Sequence, residues 1–302
     1  MKVAMAGTGN VAQYLIEELP KYGHSVVVLT RSSKPTITLE QRETDYTISS
    51  LVSVLHDRDA IISAIADFSD PAAGAQVHLT MLEACRQSQS CKTFIPSQWT
   101  ANVEDHPEEP VVLAPHNKVL FDRLKQETQI RWTIICNAWF AEYIVPASQR
   151  HLRDVGPIWA MDHPSKVFTI YGPGTQLNDL TSVRDIAKAV AVLLDSKEPW
   201  EPYTYLSGGQ LSWNELFAII KKRDSEWTSV KKPLADTVQQ IVANESPESV
   251  LAAYFELHSY SGALTFPQEK VRRHREKYFQ GVHFRSVEEI LDDAAAKPGK
   301  IL

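Results

Sequence analysis

KVAMAGTGNVAQYLIEEL, residues 2–19, opens with an apolar run and continues through a turn that contains two glycines. Beyond the turn, Val11, Leu15 and Leu19 recur at the spacing of one helical face. A further apolar run, Ser25–Thr30, has the character of a second buried strand. A strand, a glycine turn, a helix and another strand in this order are typical of a dinucleotide-binding α/β unit.

The glycine turn supplies the residues expected at the phosphates of the dinucleotide. Glycine at position 7 lets the chain turn tightly off the strand, and glycine at position 9 lets the backbone approach a pyrophosphate. The following helix presents free N–H groups and partial positive charge to the same anion. The sequence therefore predicts a cofactor-binding loop of Gly7, Thr8, Gly9, Asn10 and Val11.

The end of the second strand indicates which dinucleotide binds. An NAD-binding chain usually places Asp or Glu here to hold the ribose 2′-hydroxyl. This chain has no acid in residues 30–34 but carries Arg31 and Lys34. Because the donors of a guanidinium match the oxygens of a phosphate, these two cations predict binding of the 2′-phosphate of NADP(H).

Composition limits the other possible partners. The chain has 302 residues, 43% of them hydrophobic, and a formal net charge of -6, so nucleic-acid binding is not expected. The longest apolar region, residues 133–147, is too short to span a bilayer. The first strand begins at residue 2, so no signal peptide is expected, and the three cysteines lack metal-binding spacing. We expect a cytoplasmic monomer or homodimer without a metal or membrane partner.

Strand and helix patterns alternate through the first two thirds of the chain. This rhythm predicts a doubly wound parallel Rossmann sheet in residues 1–206. The pattern then becomes mostly helical, so we predict a smaller, mostly helical substrate-binding lobe in residues 207–302. The irregular residues 138–165 are expected to join the substrate cleft.

Loops that are distant in sequence should meet at one edge of this sheet. In open α/β sheets, ligands bind beyond the carboxyl ends of the strands. The loops that follow the later strands are therefore expected to complete the cofactor site. Their candidate cofactor-binding residues are Ala66, Asp67, Phe68, Ser97, Lys118, Asn137 and Trp139.

Several segments carry a resemblance to a known family. They are the glycine loop with Arg31 and residues 94–99, 117–120, 133–146 and 180–187. In these segments the chain resembles the NmrA-like and isoflavone-reductase-like branch of the atypical short-chain dehydrogenases/reductases. The resemblance implies an NADP-binding Rossmann domain, a small C-terminal substrate lobe and NADPH-dependent reduction of small aromatic or polyketide-like molecules. Some members of the group act instead as redox-sensing regulators.

The resemblance also implies a catalytic lysine, here Lys118, beside the nicotinamide ribose. The wider superfamily places a proton-donating Tyr four residues before this lysine, where the present chain has Ala114. Gln98 and Trp99 also depart from the isoflavone-reductase-like pattern. Another group must therefore deliver the proton. For each candidate the alternative is a purely structural role, as a turn residue, a solvent-exposed side chain or a core residue. These candidates are Ser97, His116 and Tyr143.

The positions of large apolar side chains predict where the substrate binds. A small-molecule site is usually an apolar pocket with few polar groups. The expected substrate is a small, apolar, ring-containing carbonyl, quinone, enone or imine. Two alternatives stay open: the aromatics after residue 250 could form only the core of the lobe, and the chain could be a non-catalytic NADP(H)-sensing regulator. The candidate substrate residues are Trp99, Trp139, Phe140, Tyr143, Tyr254 and Phe266.

Overall fold

A sheet of parallel strands lies at the centre of the molecule, as the alternating sequence pattern predicts. The computed structural model describes all 302 residues. Six strands form the sheet: β1 Lys2–Ala6, β2 Ser25–Thr30, β3 Gln41–Glu43, β4 Ala60–Ser63, β5 Thr93–Ile95 and β6 Arg131–Trp132. They pair in parallel in the order β3-β2-β1-β4-β5-β6. The order reverses between β1 and β4, the point at which such sheets bind ligands.

Two further strands continue the sheet beyond β6. The run predicted as one strand is interrupted at Thr133 and resumes as β7 Ile134–Cys136. β7 pairs in parallel with β12 Tyr203–Tyr205, and the hydroxyls of Thr133 and Thr204 lie 2.8 Å apart. The predicted strand near residue 203 therefore belongs to the central sheet.

Helices cover both faces of this sheet. α1 packs against α5 on one face, and α2, α3 and α4 pack side by side on the other. Asp70 caps α3 by accepting from the N–H of Ala73 at 3.0 Å, as its position before Pro71 predicts. These five helices are α1 Asn10–Glu18, α2 Ile48–Val54, α3 Pro71–Gln87, α4 Ala114–Lys125 and α5 Val183–Asp195.

Two small sheets lie outside the central sheet, and each takes one strand from residues 207–302, the part that was expected to be mostly helical. One contains β8 Trp139–Phe140, β11 Leu177–Thr181 and β13 Gly209–Ser212. The other contains β9 Met161–Asp162, β10 Val167–Tyr171 and β14 Thr228–Lys232. β14 was not expected, because it reads Thr-Ser-Val-Lys-Lys, lies at a sheet edge and is mostly exposed, so it lacks an apolar alternation.

Five helices complete the chain, and some of them return to the central sheet. α7 and α8 pack against each other, whereas α9 contacts β12. None of the helices has both the length and the apolar character needed to cross a bilayer. The predicted boundary between residues 206 and 207 stays a prediction. The helices are α6 Trp213–Arg223, α7 Leu234–Ala243, α8 Pro247–Leu257, α9 Gln268–Tyr278 and α10 Val287–Ala296.

A buried carboxylate joins the segment after β7 to the start of α5. Glu142 is fully buried and accepts hydrogen bonds from the Ser182 hydroxyl at 2.6 Å and the Val183 N–H at 2.8 Å. The N–H of Arg184 adds a third, longer contact at 3.3 Å. An anion at a helix N-terminus meets free N–H groups and the positive end of the helix dipole. Glu142 therefore fixes residues 139–144 on the central domain.

Replacing this carboxylate should destabilise the fold. Glu142→Gln keeps the size of the side chain but can turn an NH2 group toward backbone donors. The free energy of unfolding should fall by about 1–3 kcal/mol in urea titrations. Glu198→Gln, at an exposed position, is the control and should leave stability unchanged. Equal stability of the two variants would show that the cap contributes nothing.

Candidate active site

The glycine loop between β1 and α1 makes a close approach to the end of β4. Gly7 has a φ of +101°, and a Cβ at this position would lie 3.2 Å from the Ala64 carbonyl oxygen. A side chain there would be strained and crowded, so glycine is required. Gly9, the N-cap of α1, has no atom within 4 Å of the place where a Cβ would lie. Its open side lies on a cavity, which leaves room for a phosphate at the N-terminus of α1.

Two cations stand beside this loop without a carboxylate partner. The Lys34 ammonium donates to the Thr8 hydroxyl at 2.5 Å, and this contact places it next to the glycine turn. Arg31 directly follows β2, and its guanidinium lies 6.0 Å from the centre of the Tyr46 ring. Since neither cation forms an ion pair, both charges are available to an anionic ligand.

A cavity of about 620 Å³ lies between the carboxyl ends of the strands and α8. Its walls bring together segments from well-separated parts of the chain, from the glycine loop to α8. Trp99, Trp139, Phe140 and Tyr143 form one side, which we call the aromatic wall. The sequence-predicted site residues on the cavity surface are Thr8, Gly9, Asn10, Val11, Ala66, Asp67, Phe68, Ser97, Trp99, Trp139, Phe140 and Tyr143.

Phe68 and Phe255 meet across the cavity from opposite sides. Phe68 lies on the loop after β4 with 51% of its surface exposed, and Phe255 lies on α8. Their ring centres are 5.7 Å apart in an edge-to-face arrangement. Aromatic pairs favour this geometry, so the cofactor-side loop and α8 are joined by an apolar contact.

His78 was not anticipated from the sequence, yet it organises the floor of the cavity. Its Nδ1 lies 2.8 Å from the Gly74 carbonyl oxygen, so Nδ1 carries the proton. Its Nε2 then accepts from the backbone N–H of Ser97 at 3.3 Å and lies 3.0 Å from the Ser63 hydroxyl. Burial lowers the pKa of His78 to about 4, so the ring is neutral at physiological pH. His78 therefore links α3 to the ends of β4 and β5.

Comparison with known proteins identifies the family. The model of the NmrA-like family matches residues 3–291. The chain belongs to this family. Among its NmrA-like relatives, the oxidoreductase swnR of Arthroderma benhamiae is 36% identical over 307 residues, covering 100% of both chains. The isoflavone reductase homolog A622-like of Nicotiana tabacum is 24% identical over 72% of each chain. The resemblance stated from the sequence is confirmed.

Solved structures share the fold of this NmrA-like chain at low sequence identity. AtPrR2, solved with NADP+ and (+)pinoresinol, superposes with a TM-score of 0.77 at 19% identity, covering 97% of this chain and 98% of that one. A ternary complex of leucoanthocyanidin reductase from Vitis vinifera gives a TM-score of 0.75 at 19% identity, with coverage of 98% and 100%. These comparisons confirm the doubly wound α/β fold.

Lys118, the lysine expected at the nicotinamide, points away from the cavity. Its side chain is 70% exposed, and its ammonium pairs with the Asp122 carboxylate one turn along α4. The neighbouring Asn117 lines the cavity and accepts from the amide of Gln98 at 3.0 Å. An exposed pair of this kind contributes only about 0.3–0.5 kcal/mol, so rotation of Lys118 toward the cavity costs little. Its catalytic role stays a prediction.

Three other expected residues do not reach the cavity. The side chain of Asn137 is buried and donates to the Ala138 carbonyl oxygen at 2.9 Å. His116 is half-buried on α4 and lies off the cavity surface. Tyr254 is also absent from the wall, because α8 turns Leu251, Phe255 and His258 toward the cavity instead. Spacings of four and three residues place those three side chains on one helical face.

Phe266 lies in the core, in line with the alternative that the sequence left open. Only 2% of its surface is exposed, and its ring packs edge-to-face on Tyr205 with 5.2 Å between centres. Its backbone N–H donates to the buried carboxylate of Asp179 at 2.7 Å. Expecting Phe266 on the substrate wall was wrong, since burial could not be distinguished from pocket lining by residue type alone.

One cluster of possible metal ligands lies outside the glycine-loop region. His106, Glu108 and Glu109 bring ligand atoms within 4.8 Å of one another. Glu108 is exposed, and Glu109 accepts from the Ser261 hydroxyl at 2.8 Å. Exposed acidic groups commonly cluster without an ion, so we assign no metal centre here.

The neutral state of His78 predicts a pH dependence of stability. Its pKa is about 4 in the folded chain and near 6.5 when unfolded, so the unfolded chain binds the proton first. The free energy of unfolding should fall as the pH drops from about 6.5 to about 4, by up to about 3 kcal/mol from this residue.

His78→Gln should remove part of this decline in urea titrations at several pH values. His258, whose pKa is also lowered to about 4, should account for a similar part. The exposed His56, which forms no ion pair, provides the control variant His56→Gln. A decline in His78→Gln identical to that of the unsubstituted chain would contradict the buried neutral state.

Proposed function

We propose that the chain is an NADP(H)-dependent reductase that transfers hydride to a small, ring-containing carbonyl, quinone, enone or imine. One observation carries the proposal: the cavity of about 620 Å³ joins the glycine loop to the aromatic wall. A dinucleotide and an apolar ring could therefore lie next to each other in one cleft. Relatives at 36% identity that are named oxidoreductases support the same reaction class.

The residues around the glycine loop fit NADP(H). The open side of Gly9 leaves space for the pyrophosphate at the N-terminus of α1. Arg31 and Lys34, two cations without an ion-pair partner beside the glycine loop, would bind the 2′-phosphate. When bound, the cofactor would supply the hydride. Fold relatives were solved with NADP+ or NADPH, which supports this choice.

The aromatic wall would exclude water and hold the acceptor ring. Trp139 and Tyr143 are both more than nine-tenths buried, and both line the cavity. Burial raises the pKa of Tyr143 to about 12, so its phenol keeps its proton at neutral pH. Tyr143 is therefore a proposed hydrogen-bond donor to the oxygen or nitrogen that gains charge during reduction.

Lys118 is the second proposed polar group of the reaction. Its long side chain can leave the exposed contact with Asp122 and turn toward Asn117, which already lines the cavity. There the ammonium would hold the ribose hydroxyls and stabilise developing negative charge. The hydroxyl of Ser97, held through its backbone by His78, is a further candidate donor.

A non-catalytic NADP(H) sensor is the alternative function. Two observations favour it: Ala114 occupies the usual tyrosine position, and Lys118 lies outside the cavity. Steady NADPH consumption with a panel of aromatic ketones, enones and quinones distinguishes the two functions. Binding of NADPH without turnover on any member of the panel would favour the sensor.

Arg31→Ala should reduce the affinity for NADPH by about tenfold or more, because a charge-assisted contact contributes roughly 1.5–3 kcal/mol. The affinity for NADH should barely change. Fluorescence titration of both cofactors measures the effect, and Arg272→Ala, at an exposed arginine on α9, is the matched control. Equal losses for NADPH and NADH would show that Arg31 does not contact the 2′-phosphate.

Lys118→Ala should lower kcat by roughly 100-fold or more while leaving the melting temperature unchanged, because the lysine is exposed and takes part in proton transfer only during turnover. Lys125→Ala, on the same helix, is the control for loss of an exposed charge. The assignment fails if Lys118→Ala turns over a substrate at the rate of the unsubstituted chain.

A further inference from the structure

Segment 151–153 lies against the first turns of α1, next to the glycine loop. The Asn10 amide, in the orientation that satisfies both of its polar groups, donates to the His151 carbonyl oxygen at 3.2 Å and accepts from the Arg153 N–H at 3.1 Å. One helical turn further on, the Tyr14 hydroxyl accepts from the His151 N–H at 3.1 Å. Residues four apart share one face of a helix, so a single face of α1 holds this segment in place.

The side chain of Arg153 has no partner within the protein. It is exposed and forms neither an ion pair nor a hydrogen bond. The carboxylate of the adjacent Asp154 pairs with Arg150 instead, and the carboxylate of Glu17 on α1 pairs with Arg184. The Arg153 guanidinium is therefore free to bind an anion that comes from outside the protein.

Arg153 is also the only lysine or arginine on the surface of the cavity. Arg31 and Lys34 stand beside the glycine loop but do not line the cavity itself. The one carboxylate on the cavity surface belongs to Asp67, which accepts hydrogen bonds within its own loop. The cavity therefore offers a ligand one arginine or lysine side chain, and that side chain comes from segment 151–153.

The position of Arg153 favours one anion in particular. Its backbone is held by Asn10, the first residue of α1, and Gly9 is the N-cap of that helix. A dinucleotide places its pyrophosphate at this helix N-terminus, where the backbone supplies N–H donors but no full charge. A guanidinium suits a phosphate because its fork of N–H donors contacts two oxygens at once. An arginine anchored beside this N-terminus can supply the positive charge that the backbone lacks.

We propose that Arg153 binds the pyrophosphate of NADP(H), while Arg31 and Lys34 bind the 2′-phosphate. This inference rests on the proposed function, because it takes NADP(H) as the ligand. NADPH and NADH share the pyrophosphate, whereas only NADPH carries the 2′-phosphate. Arg153 therefore contributes to the affinity for both cofactors and not to the choice between them.

Fluorescence titrations with three ligands test this inference. Arg153→Ala should weaken the binding of NADPH and of NADH by about tenfold or more each, because both lose a charge-assisted contact. Adenosine 2′-monophosphate has no pyrophosphate, so its affinity, measured by displacement of NADPH, should stay unchanged. Unchanged affinity of Arg153→Ala for NADPH, or an equal loss of affinity for adenosine 2′-monophosphate, would overturn the inference.

Two further variants separate a specific contact from a general loss of charge. Arg153→Lys keeps the charge but not the fork of donors, so its NADPH affinity should lie between those of the unsubstituted chain and Arg153→Ala. Arg272→Ala, at an exposed arginine on α9, is the matched control and should bind both cofactors normally.

The melting temperature without cofactor tests for a purely structural role. It should be unchanged in Arg153→Ala, because Asn10 holds the backbone of residue 153 and not its side chain. A lowered melting temperature together with weaker binding of all three ligands would overturn the inference in favour of a structural role.

A carboxylate on the substrate is the other anion that Arg153 could meet. In that case Arg153→Ala would bind NADPH and NADH normally and raise only the KM for the substrate, a result that would overturn the inference. Binding of NADPH by the unsubstituted chain is measured first. Its absence would overturn the proposed function together with this inference, whereas NADPH binding that does not depend on Arg153 would overturn this inference alone.

Discussion

The site depends on the close approach of the β1–α1 turn to the end of β4. A Cβ on Gly7 would lie 3.2 Å from the Ala64 carbonyl oxygen, so the turn can reach this position only with glycine. The approach sets the N-terminus of α1 at the point where the strand order reverses between β1 and β4. It also leaves the space beside Gly9 open. The geometry that we propose for binding the cofactor phosphates is therefore a direct consequence of backbone packing.

Buried carboxylates hold the remaining walls of the cavity against this framework. Glu142 fixes the segment that carries Trp139 and Tyr143 onto the start of α5. Asp179 fixes the C-terminal part in a similar way, since its carboxylate accepts hydrogen bonds from the Ser207 hydroxyl and the Phe266 N–H. A carboxylate can be buried at low cost only where hydrogen-bond donors surround it. Each of these two carboxylates therefore holds the segments that supply its donors in one fixed arrangement. Polar contacts thus give an apolar pocket its shape.

The sequence predicted the features that follow from local pattern. The glycine turn, the parallel alternation and Asp70 as the cap of α3 each depend on residues close together in the chain. It could not predict side-chain direction. Lys118 pairs with Asp122, one turn along the same helix, although its position in the sequence motif predicts that it faces the cavity. Phe266 packs on Tyr205, which is distant in sequence, so the sequence could not distinguish a core contact from a cavity contact. His78 was missed for the same reason, since its partners Ser63 and Ser97 come from separate strands.

Transfer of deuterium from [4-²H]NADPH tests the central claim most directly. The chain would be incubated separately with (4R)- and (4S)-[4-²H]NADPH and a ring-containing ketone or enone that it consumes, and the product would be analysed by mass spectrometry and NMR. Our account predicts one deuterium at the reduced carbon for each NADPH oxidised with one of the two labelled forms and none with the other. Tight binding of NADPH with no oxidation across the substrate panel, or a product that is unlabelled with both forms, would contradict it.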